Sequence, residues 1–280
     1  MANVKIVTDS LADIPPAIQK ELDITSIPCI VRFGDQEFRD RVDLMSSEFY
    51  RRMASSPVIP ATSQPATGVF EQVYRALAES TDQILAIHTV ASLSGIFNAS
   101  RLAAESIQNV RIELIDSKQV TMALGWLVIL AARAAKEGRA LDEIKQIVQD
   151  AAQRVHIIAM LDSLEFAQRG GRLGKGKALV GTLLRVKPLL SVVNGEIVPV
   201  ENVRTQRRAL ERLVEIALAS GPIQELSVIH AEAPQHAQQL QNVLAQTFPK
   251  EQIVMSEAGP VLGTHVGPGA VGIAWLTGKY

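Results

Sequence analysis

Residues 84–115 read ILAIHTVASLSGIFNASRLAAESIQNVRIELI and predict a strand, a helix and a second strand in succession. Residues 84–88 are a short apolar run, and apolar positions recur at helical spacing over residues 96–106. Residues 110–115 return to the pattern of a strand. Because a crossover helix between two strands is the unit of parallel sheets, the segment predicts a parallel sheet covered by helices.

The same alternation extends on both sides of this segment. Upstream, residues 4–8 predict a strand, and Pro15 marks the first turn of a helix that runs toward Glu21. Downstream, residues 122–137 and 141–155 predict two helices, which Gly138 separates. The other elements predicted for this half are extended segments at residues 24–33 and 37–39 and helices at residues 46–53 and 67–80.

The pattern changes after residue 155. A predicted strand at residues 156–161 precedes a glycine-rich loop at residues 170–176 and a hairpin whose tip, Asn194-Gly195, favours a type I′ turn. Then follow a helix at residues 205–219, a strand at 226–231, a helix at 236–248 and a final glycine-rich stretch. We therefore predict an α/β protein with an N-terminal Rossmann-like parallel α/β/α domain (residues 1–155) and a C-terminal α+β domain (residues 156–280).

The composition fits a chain that buries a large core and has no general affinity for nucleic acid. Of its 280 residues, 47% are hydrophobic, which is enough to fill the cores of two domains. Lys and Arg total 28 against 29 for Asp and Glu, and the formal net charge of -1 leaves no basic field that would attract a phosphate backbone. Nucleic acid is therefore not expected as the principal partner.

The chain is expected to lie in the cytoplasm, without a metal, a cofactor or stable membrane insertion. Its single cysteine, Cys29, can form neither an internal disulfide nor a thiolate cluster, which is typical of a reducing compartment. Lys5 and Asp9 interrupt the first apolar run, unlike a secretion signal. The most apolar segment, residues 120–132, is shorter than the roughly 20 residues that cross a bilayer, so it predicts a buried helix.

Two glycine motifs match nucleotide-binding spacings but lack the residues that complete them. Residues 171–177 have the spacing of a phosphate loop, but Ala178 stands where Ser or Thr would hold Mg²⁺. Gly267, Gly269 and Gly272 have the spacing of a dinucleotide fingerprint, yet only eight residues follow them, too few for a helix and a second strand. We interpret both motifs as glycines of a loop and of a tight turn.

This chain alone is therefore expected to show no measurable ATP binding, because the near-match lacks the hydroxyl that would hold the magnesium ion of the nucleotide. Calorimetric titration of the protein with Mg·ATP checks this expectation. Micromolar, saturable heat would contradict it and would make the chain itself a kinase candidate.

Two segments with hydroxyl side chains precede predicted helices at one edge of the sheet. Thr62-Ser63-Gln64-Pro65 comes just before the helix at residue 67, and Ser92-Leu93-Ser94-Gly95 comes before the helix at residue 96. Hydroxyls and backbone N–H groups at a helix start can bind an anion at the positive end of the dipole. An ordinary capped loop explains either segment alone, but the carboxyl edge of a parallel sheet binds ligands, and the pair favours a small-anion site.

His265 has the most distinctive setting among the histidines. It precedes Gly267-Pro268-Gly269, a rigid turn that would fix the position of the imidazole, and we expect it to lie in a loop. A ligand-binding role and a structural role both remain open. The other histidines, at positions 88, 156, 230 and 236, are expected to be structural.

A serine esterase or acyl hydrolase is the alternative function. The residue types of a nucleophilic triad are present as Ser63 or Ser94, His265, and Asp9 or Asp116. Neither serine lies in a Gly-x-Ser-x-Gly elbow, which argues against the usual α/β-hydrolase arrangement. Each of the two aspartates also suits another role, the capping of the turn that follows its strand.

Seven short motifs follow one another along the chain. They are Val7-Thr8-Asp9-Ser10 with Asp13, Thr62-Ser63-Gln64-Pro65, Ser94-Gly95, Asp116-Ser117, Gly170-Gly171-Arg172, Lys187-Pro188 and Thr264-His265-Val266-Gly267-Pro268-Gly269. Each motif is weak alone, but the set spans essentially the whole chain and resembles the DegV family. The resemblance implies a two-domain bacterial protein that binds a long-chain fatty acid such as palmitate. It further implies the acyl-binding subunit of a fatty acid kinase, with a role in phospholipid metabolism.

The resemblance also implies which residues hold the fatty acid. Carried over residue by residue, the carboxylate site consists of Thr62, Ser63, Ser94, the backbone of Gly95, and His265. These segments include the candidate anion site, and a carboxylate beside an apolar tail needs several hydrogen-bond donors to offset its desolvation. The family often has Thr-Tyr after Ser-Gly, whereas this chain has Ile96-Phe97, so no polar contact is expected there.

A partner is implied as well. A separate kinase subunit, similar to dihydroxyacetone kinases, would phosphorylate the bound carboxylate with ATP, so this chain would itself be a carrier without catalysis. The implied docking surface includes Arg172 in the glycine-rich loop and Arg204 and Arg207 after the hairpin, all expected to lie away from the carboxylate. A solvated helix face is the other interpretation of these arginines.

Overall fold

A computed structural model of the chain describes residues 3–174 and 186–278. Its first half contains a four-stranded sheet, a three-stranded sheet and the helices that pack on them. In chain order the elements of this half are β1 (Val4–Asp9), α1 (Pro16–Glu21), β2 (Ile24–Ile27), β3 (Ile30–Phe33), β4 (Gln36–Arg39), α2 (Ser46–Ser55), β5 (Ala61–Ser63), α3 (Thr67–Ala78), β6 (Gln83–His88), α4 (Ile96–Glu105), β7 (Arg111–Asp116), α5 (Thr121–Lys136) and α6 (Leu141–Ala152).

The larger sheet of this half is parallel, as predicted. Its strands lie in the order β2-β1-β6-β7, and every neighbouring pair is parallel. Five of the six residues of β6 are buried, because helices pack on this sheet and leave no strand face in water. The carboxyl ends of all four strands therefore meet at one edge, where the loops before α4 and α5 begin.

The smaller sheet is antiparallel and has the order β4-β3-β5. The single extended segment predicted for residues 24–33 is in fact two strands in different sheets, separated at Pro28, which has no N–H for a sheet ladder. In β5, Thr62 lies opposite Val31 of β3. Strand pairing thus fixes the segment in which the first candidate site residues lie.

The second half forms one mixed sheet. Its elements are β8 (Val155–Met160), α7 (Glu165–Arg169), β9 (Lys187–Val193), β10 (Glu196–Val203), α8 (Gln206–Ala219), β11 (Ile223–His230), α9 (Pro234–Leu244), β12 (Ile253–Glu257), α10 (Pro260–Val266) and β13 (Val271–Thr277). The strand order is β10-β9-β8-β13-β11-β12, and only β11 and β12 pair in parallel. A parallel α/β part and an α+β part are thus confirmed, while the boundary near residue 155 stays a prediction.

The predicted hairpin is confirmed in detail. β9 and β10 pair antiparallel around Asn194 and Gly195, whose φ angles are +51° and +81°. A type I′ turn needs positive φ at both central residues, which Asn and Gly tolerate best. The Asn-Gly dipeptide therefore determines the turn from the local sequence.

Helix α5 is the predicted buried helix and joins the two halves. It packs against β1 on the first sheet and against β8 and β13 on the second, and twelve of its residues are buried. A helix that is apolar all round is buried on all sides. Trp126 shows the contact directly, since its Nε1 donates to Ser227 Oγ over 3.1 Å. Among the described residues, no helix has the length and apolarity that crossing a bilayer requires.

The final glycine-rich stretch is more ordered than the sequence predicts. It contains α10 and β13, and β13 lies in the middle of the second sheet between β8 and β11. All seven residues of β13 are buried. Gly272 is part of this strand. A Cβ at this position would lie 2.7 Å from the carbonyl oxygen of Ile158, so a residue with a side chain does not fit there. The glycine thus allows close approach of two strands and does not mark a loop.

Candidate functional site

A pocket of about 170 Å³ lies between the carboxyl edge of the parallel sheet and the mixed sheet. Both halves of the chain contribute to its wall. Apolar side chains that line it include Leu11, Ile96 and Val120 from the first half and Ile157, Leu190, Val192, Ile229, Val261 and Val271 from the second. Polar groups line it from β5, from the start of α4 and from the end of α10. The pocket therefore combines an aliphatic wall with a set of hydrogen-bonding groups.

The structure brings all five predicted carboxylate residues to this one pocket. Thr62, Ser63, Ser94, Gly95 and His265 all line it. Thr62 Oγ1 and His265 Nε2 are 2.9 Å apart and hydrogen-bonded, although 203 positions separate them in the chain. A side-chain hydrogen bond thus joins the two halves at the wall of the pocket.

Thr62 and Ser63 lie in a strand and not in the predicted loop. They are part of β5, which pairs with β3, and α3 begins four residues further on at Thr67. The predicted start of α3 is correct, but its N-cap is Ala66 and no side chain caps it. Strand pairing, and not a helix cap, therefore sets the position of the Thr62 hydroxyl.

Ser94 and Gly95 lie at the start of α4, as predicted. Gly95 is the N-cap residue of this helix, and Ser94 Oγ accepts a hydrogen bond from the N–H of Ile96 over 3.4 Å. A Cβ on Gly95 would lie 3.0 Å from Cδ of Gln64, so glycine allows the two segments to approach each other. Ile96 is buried and lines the pocket, which confirms that this helix start is apolar.

His265 lies in the last turn of α10, so the prediction of a loop was wrong. Burial, with the nearby Arg172 guanidinium, lowers the pKa of His265 to about 4, so the imidazole is neutral at pH 7. Its Nδ1 is buried and has no hydrogen-bond partner among the described residues. A Cβ on Gly170 would lie 2.2 Å from this nitrogen. A neutral imidazole carries one N–H and can donate one hydrogen bond to an anion.

Arg172 is part of the pocket, and the prediction that it lies away from the carboxylate site was wrong. It lines the pocket, its Nε donates to Leu93 O over 3.3 Å, and its Nη1 donates to Gly170 O over 2.7 Å. It lies close enough to influence the pKa of His265. Its guanidinium therefore places a positive charge beside the predicted carboxylate site.

The other two predicted docking arginines lie on the surface. Arg204 is exposed in the segment between β10 and α8. Arg207 has a side chain that is 91% exposed, and its Nε pairs with Glu211 one helical turn further on, at 3.0 Å. Such an ion pair between residues one turn apart is typical of a solvated helix face. It therefore favours a solvated helix face, and not a docking surface, as the interpretation of Arg207.

The nucleophilic triad is not assembled among the described residues. His265 Nε2 is hydrogen-bonded to Thr62, and its Nδ1 has no hydrogen-bond partner among the described residues, so neither nitrogen is hydrogen-bonded to a candidate serine. The Asp9 carboxylate accepts hydrogen bonds from the N–H groups of Leu11 and Thr89. Asp116 Oδ1 accepts from the N–H of Lys118 over 3.0 Å. Turn capping, the other role considered for both aspartates, is thus confirmed.

The two glycine motifs differ in how far the structure describes them. Residues 176–178, which would complete the phosphate loop, lie outside the described residues. Gly267 ends α10 with φ +71°, Gly269 lies in the following turn with φ +86°, and Gly272 is in β13. A strand and not a helix follows Gly267 and Gly269, which confirms that these two are turn residues, whereas the interpretation of Gly272 as a turn residue was wrong. The described ranges also hold no group of three His, Cys, Asp or Glu side chains placed for a metal ion.

Comparison with known proteins identifies relatives over the whole length. The sequence model described as "Uncharacterised protein, DegV family" matches residues 3–278. Protein DegV of Bacillus subtilis is 34% identical over 278 residues, which cover 98% of this chain and 99% of that protein.

Two solved structures have the same fold over nearly their full length. One is DegV, a fatty acid binding protein from Bacillus subtilis, with a TM-score of 0.92 and 32% identity, covering 99% of this chain and 100% of that one. The other is a DegV family protein from Thermus thermophilus, described for its fatty acid binding, with a TM-score of 0.92 and 27% identity, covering 98% and 99% of the two chains.

Proposed function

The chain belongs to the DegV family, and from this premise we propose that it binds a long-chain fatty acid, such as palmitate, in the pocket between its two sheets. One observation carries the proposal: hydrogen-bonding groups from both halves converge in a pocket whose remaining wall is aliphatic. This is the arrangement that an amphipathic ligand with one polar end requires. Two similar structures are described as fatty acid binding, which supports the same ligand class.

In this proposal the carboxylate lies among the hydroxyls of Thr62, Ser63 and Ser94, the N–H of Gly95 and the imidazole of His265. A buried carboxylate must replace the hydrogen bonds that it loses on leaving water. At most four of these five groups can donate at once, because the hydrogen bond between Thr62 and His265 uses one proton, and the guanidinium of Arg172 lies nearby. The aliphatic wall then covers the tail and contributes about 25 cal/mol for each Å² of apolar surface removed from water.

We further propose that the chain presents the bound carboxylate to a separate, ATP-dependent kinase subunit and does no catalysis itself. The family resemblance supports a kinase partner. The arrangement of the site supports a chain that binds the ligand without catalysis. The alternative, a serine esterase, needs Ser63 or Ser94 beside His265, whereas the contact of that imidazole is with Thr62. The cytoplasm is the compartment expected for such a pair.

Mass spectrometry of an organic extract of the purified protein, combined with an ester-hydrolysis assay, tests the proposal. Stoichiometric fatty acid without ester turnover is expected. Turnover that is lost in Ser63→Ala or Ser94→Ala would favour the esterase. Protein that neither contains nor binds a fatty acid would contradict the carrier function.

Replacing the predicted docking arginines should separate ligand binding from phosphorylation. Arg204→Ala is expected to lower acyl phosphate formation in a reconstituted pair and to leave fatty acid binding unchanged, because Arg204 is exposed outside the pocket. Arg207→Ala should have a smaller effect, since its charge is already paired. Arg172→Ala should lower both quantities, because it lines the pocket. Raising the salt concentration should slow association of the wild-type pair.

The matched control is Arg51→Ala, which removes an exposed arginine that pairs within its own helix, α2. It should support acyl phosphate formation at the wild-type rate. If Arg204→Ala and Arg207→Ala together also support the wild-type rate and its salt dependence, the docking assignment is wrong. The fatty acid binding proposal would be unaffected.

A further inference from the structure

A cluster of buried charges joins the two halves outside the pocket. Asp13 Oδ1 accepts hydrogen bonds from Arg41 Nη2 over 2.6 Å and from the N–H of Gly259 over 3.0 Å. Arg41 Nη2 also donates to the carbonyl oxygen of Glu257, and Ser256 Oγ donates to the carbonyl oxygen of Asp13. We call Asp13, Asp40 and Arg41, with residues 256–259, the interdomain clasp.

Asp40 is the member of the clasp with the least compensated carboxyl group. Its side chain is buried, and Ser10 Oγ donates to its Oδ2 over 2.6 Å. Its Oδ1 is buried and accepts no side-chain hydrogen bond in the described part of the chain, while the backbone N–H of Val261, in α10, lies near this carboxyl group. A Cβ on Gly259 would lie 2.9 Å from this oxygen and 2.6 Å from Arg41 Nε. The charged cluster therefore packs directly on the residue before α10.

Helix α10 connects the interdomain clasp with the pocket. Its first residue, Pro260, follows Gly259, and its last turn carries His265, which meets Thr62. A Cβ on Gly263 would lie 2.6 Å from Tyr50 Oη, so the middle of the helix packs closely on α2. Residues of this segment that line the pocket are Ala258, Val261, Leu262, His265 and Val266. One wall of the pocket is thus a short helix that the clasp holds at its start.

We infer that Asp40 is a positioning residue: through the clasp it holds α10 and His265 in place, and its protonation state sets how firmly the pocket retains an acyl ligand. None of the clasp side chains Asp13, Asp40 and Arg41 lines the pocket, so the effect must pass through α10. The inference rests on the proposed fatty acid binding function. It adds a dependence on pH near 7, whereas His265 in the carboxylate site titrates at about 4.

The direction of the effect follows from burial. Burial raises the pKa of Asp40 to about 7, against the lowering effects of the Ser10 hydrogen bond and of Arg41, and Asp13 raises it further. Once the clasp opens and water reaches the carboxyl group, its pKa returns toward about 3.9. The closed clasp therefore binds a proton that the open one does not, and its stability is lost as the pH rises through 7. Linkage predicts a roughly tenfold fall in the ratio of closed to open states between about pH 6 and pH 8.

Two of the other titratable groups that face the clasp do not titrate near pH 7. Burial raises the pKa of the Cys29 thiol and of the Tyr50 phenol well above their ordinary values, so both stay neutral. Burial also raises the pKa of Asp13 and of Glu257. Glu232 and Arg41 are further charged groups near the cluster, and Asp9 lies near Cys29. Asp40 is the group whose pKa burial raises to about 7, so Asp40→Asn should flatten the pH profile.

The test is the rate at which a fluorescent long-chain fatty acid dissociates, measured between pH 6 and pH 8. Wild-type protein should release the probe roughly ten times faster at the upper pH, and Asp40→Asn should change by less than about twofold, because the amide keeps the neutral form. The matched control is Asp43→Asn. Asp43 is exposed on the same loop, and its hydrogen bonds with Arg39 hold its pKa at about 2, so the control should keep the wild-type pH profile.

NMR of the His265 ring in ligand-free wild-type protein gives a second readout, assigned with His265→Gln. Because the pKa of His265 is about 4, its resonances should be constant from pH 6 to 8 unless the clasp moves the ring. A shift with a midpoint near pH 7 is expected. A flat dissociation profile, unmoved His265 resonances or a wild-type profile in Asp40→Asn would overturn the inference. Failure of wild-type protein to bind the probe even at pH 6 would instead contradict the proposed function.

Discussion

Replacing His265 with alanine is expected to weaken binding of a long-chain fatty acid by roughly 10- to 150-fold. One hydrogen bond to a charged group contributes about 1.5–3 kcal/mol, and each 1.4 kcal/mol is a factor of ten. Ser94→Ala should have an effect in the same range, because its hydroxyl is another donor at the polar end of the pocket. Titration with a fluorescent acyl probe measures both variants.

The control for this experiment is His236→Ala. His236 lies in α9, where its Nδ1 is hydrogen-bonded to Gln206, and it does not line the pocket. Its replacement should leave the affinity unchanged. Thermal unfolding of all three variants shows whether they remain folded. If His265→Ala and Ser94→Ala are folded and bind the probe with wild-type affinity, neither residue holds the carboxylate.

The parallel sheet could be predicted from the sequence because its signals are local. Each of the strands β1, β6 and β7 is a short segment in which at least half of the residues are apolar, and each is followed by a segment with helical spacing. Such periodicity depends on neighbours a few positions away. The hairpin at Asn194-Gly195 was predicted for the same reason, since two residues determine its turn.

The end of the chain could not be predicted in this way because its glycines have long-range causes. Gly263 allows α10 to approach Tyr50, and Gly272 allows β13 to approach Ile158. Both are close contacts between distant segments, but in the sequence they resemble loop glycines. Pro260, the first residue of α10, is the local signal that could have identified the helix.

The candidate site likewise contains residues that local sequence signals identify and residues that they do not. Thr62, Ser94 and His265 could be identified because their motifs are short and resemble a known family, and the structure brings them to one pocket. The position of Arg172 depends on its contact with Leu93, 79 residues earlier, which nothing near either residue indicates. The sequence around Asp40 is polar, and nothing in it indicates that this carboxyl group is buried. Local sequence patterns therefore do not reveal the contacts between the two halves.

Gly170→Ala is expected to reduce fatty acid binding about as strongly as His265→Ala, by roughly 10- to 150-fold. Gly170 ends α7 with φ −71° and ψ −8°, an ordinary conformation for alanine, so backbone strain is not the cause. The added Cβ would instead lie 2.2 Å from His265 Nδ1, which forces the imidazole to move. The 2.9 Å hydrogen bond between His265 and Thr62 should then be lost.

A double-mutant cycle makes the cause of this effect testable. The matched control is Gly68→Ala in α3, where a Cβ meets nothing within 4 Å and alanine favours the helix, so affinity should be unchanged. In a His265→Ala background the side chain that Gly170→Ala would displace is absent, and the second substitution should change affinity by less than about twofold. Full affinity in Gly170→Ala, or an additive loss in the double variant, would show that Gly170 does not act through His265. Loss in the single variant alone would place the glycine at residue 170 among the determinants of the site, because it leaves the space that the imidazole needs.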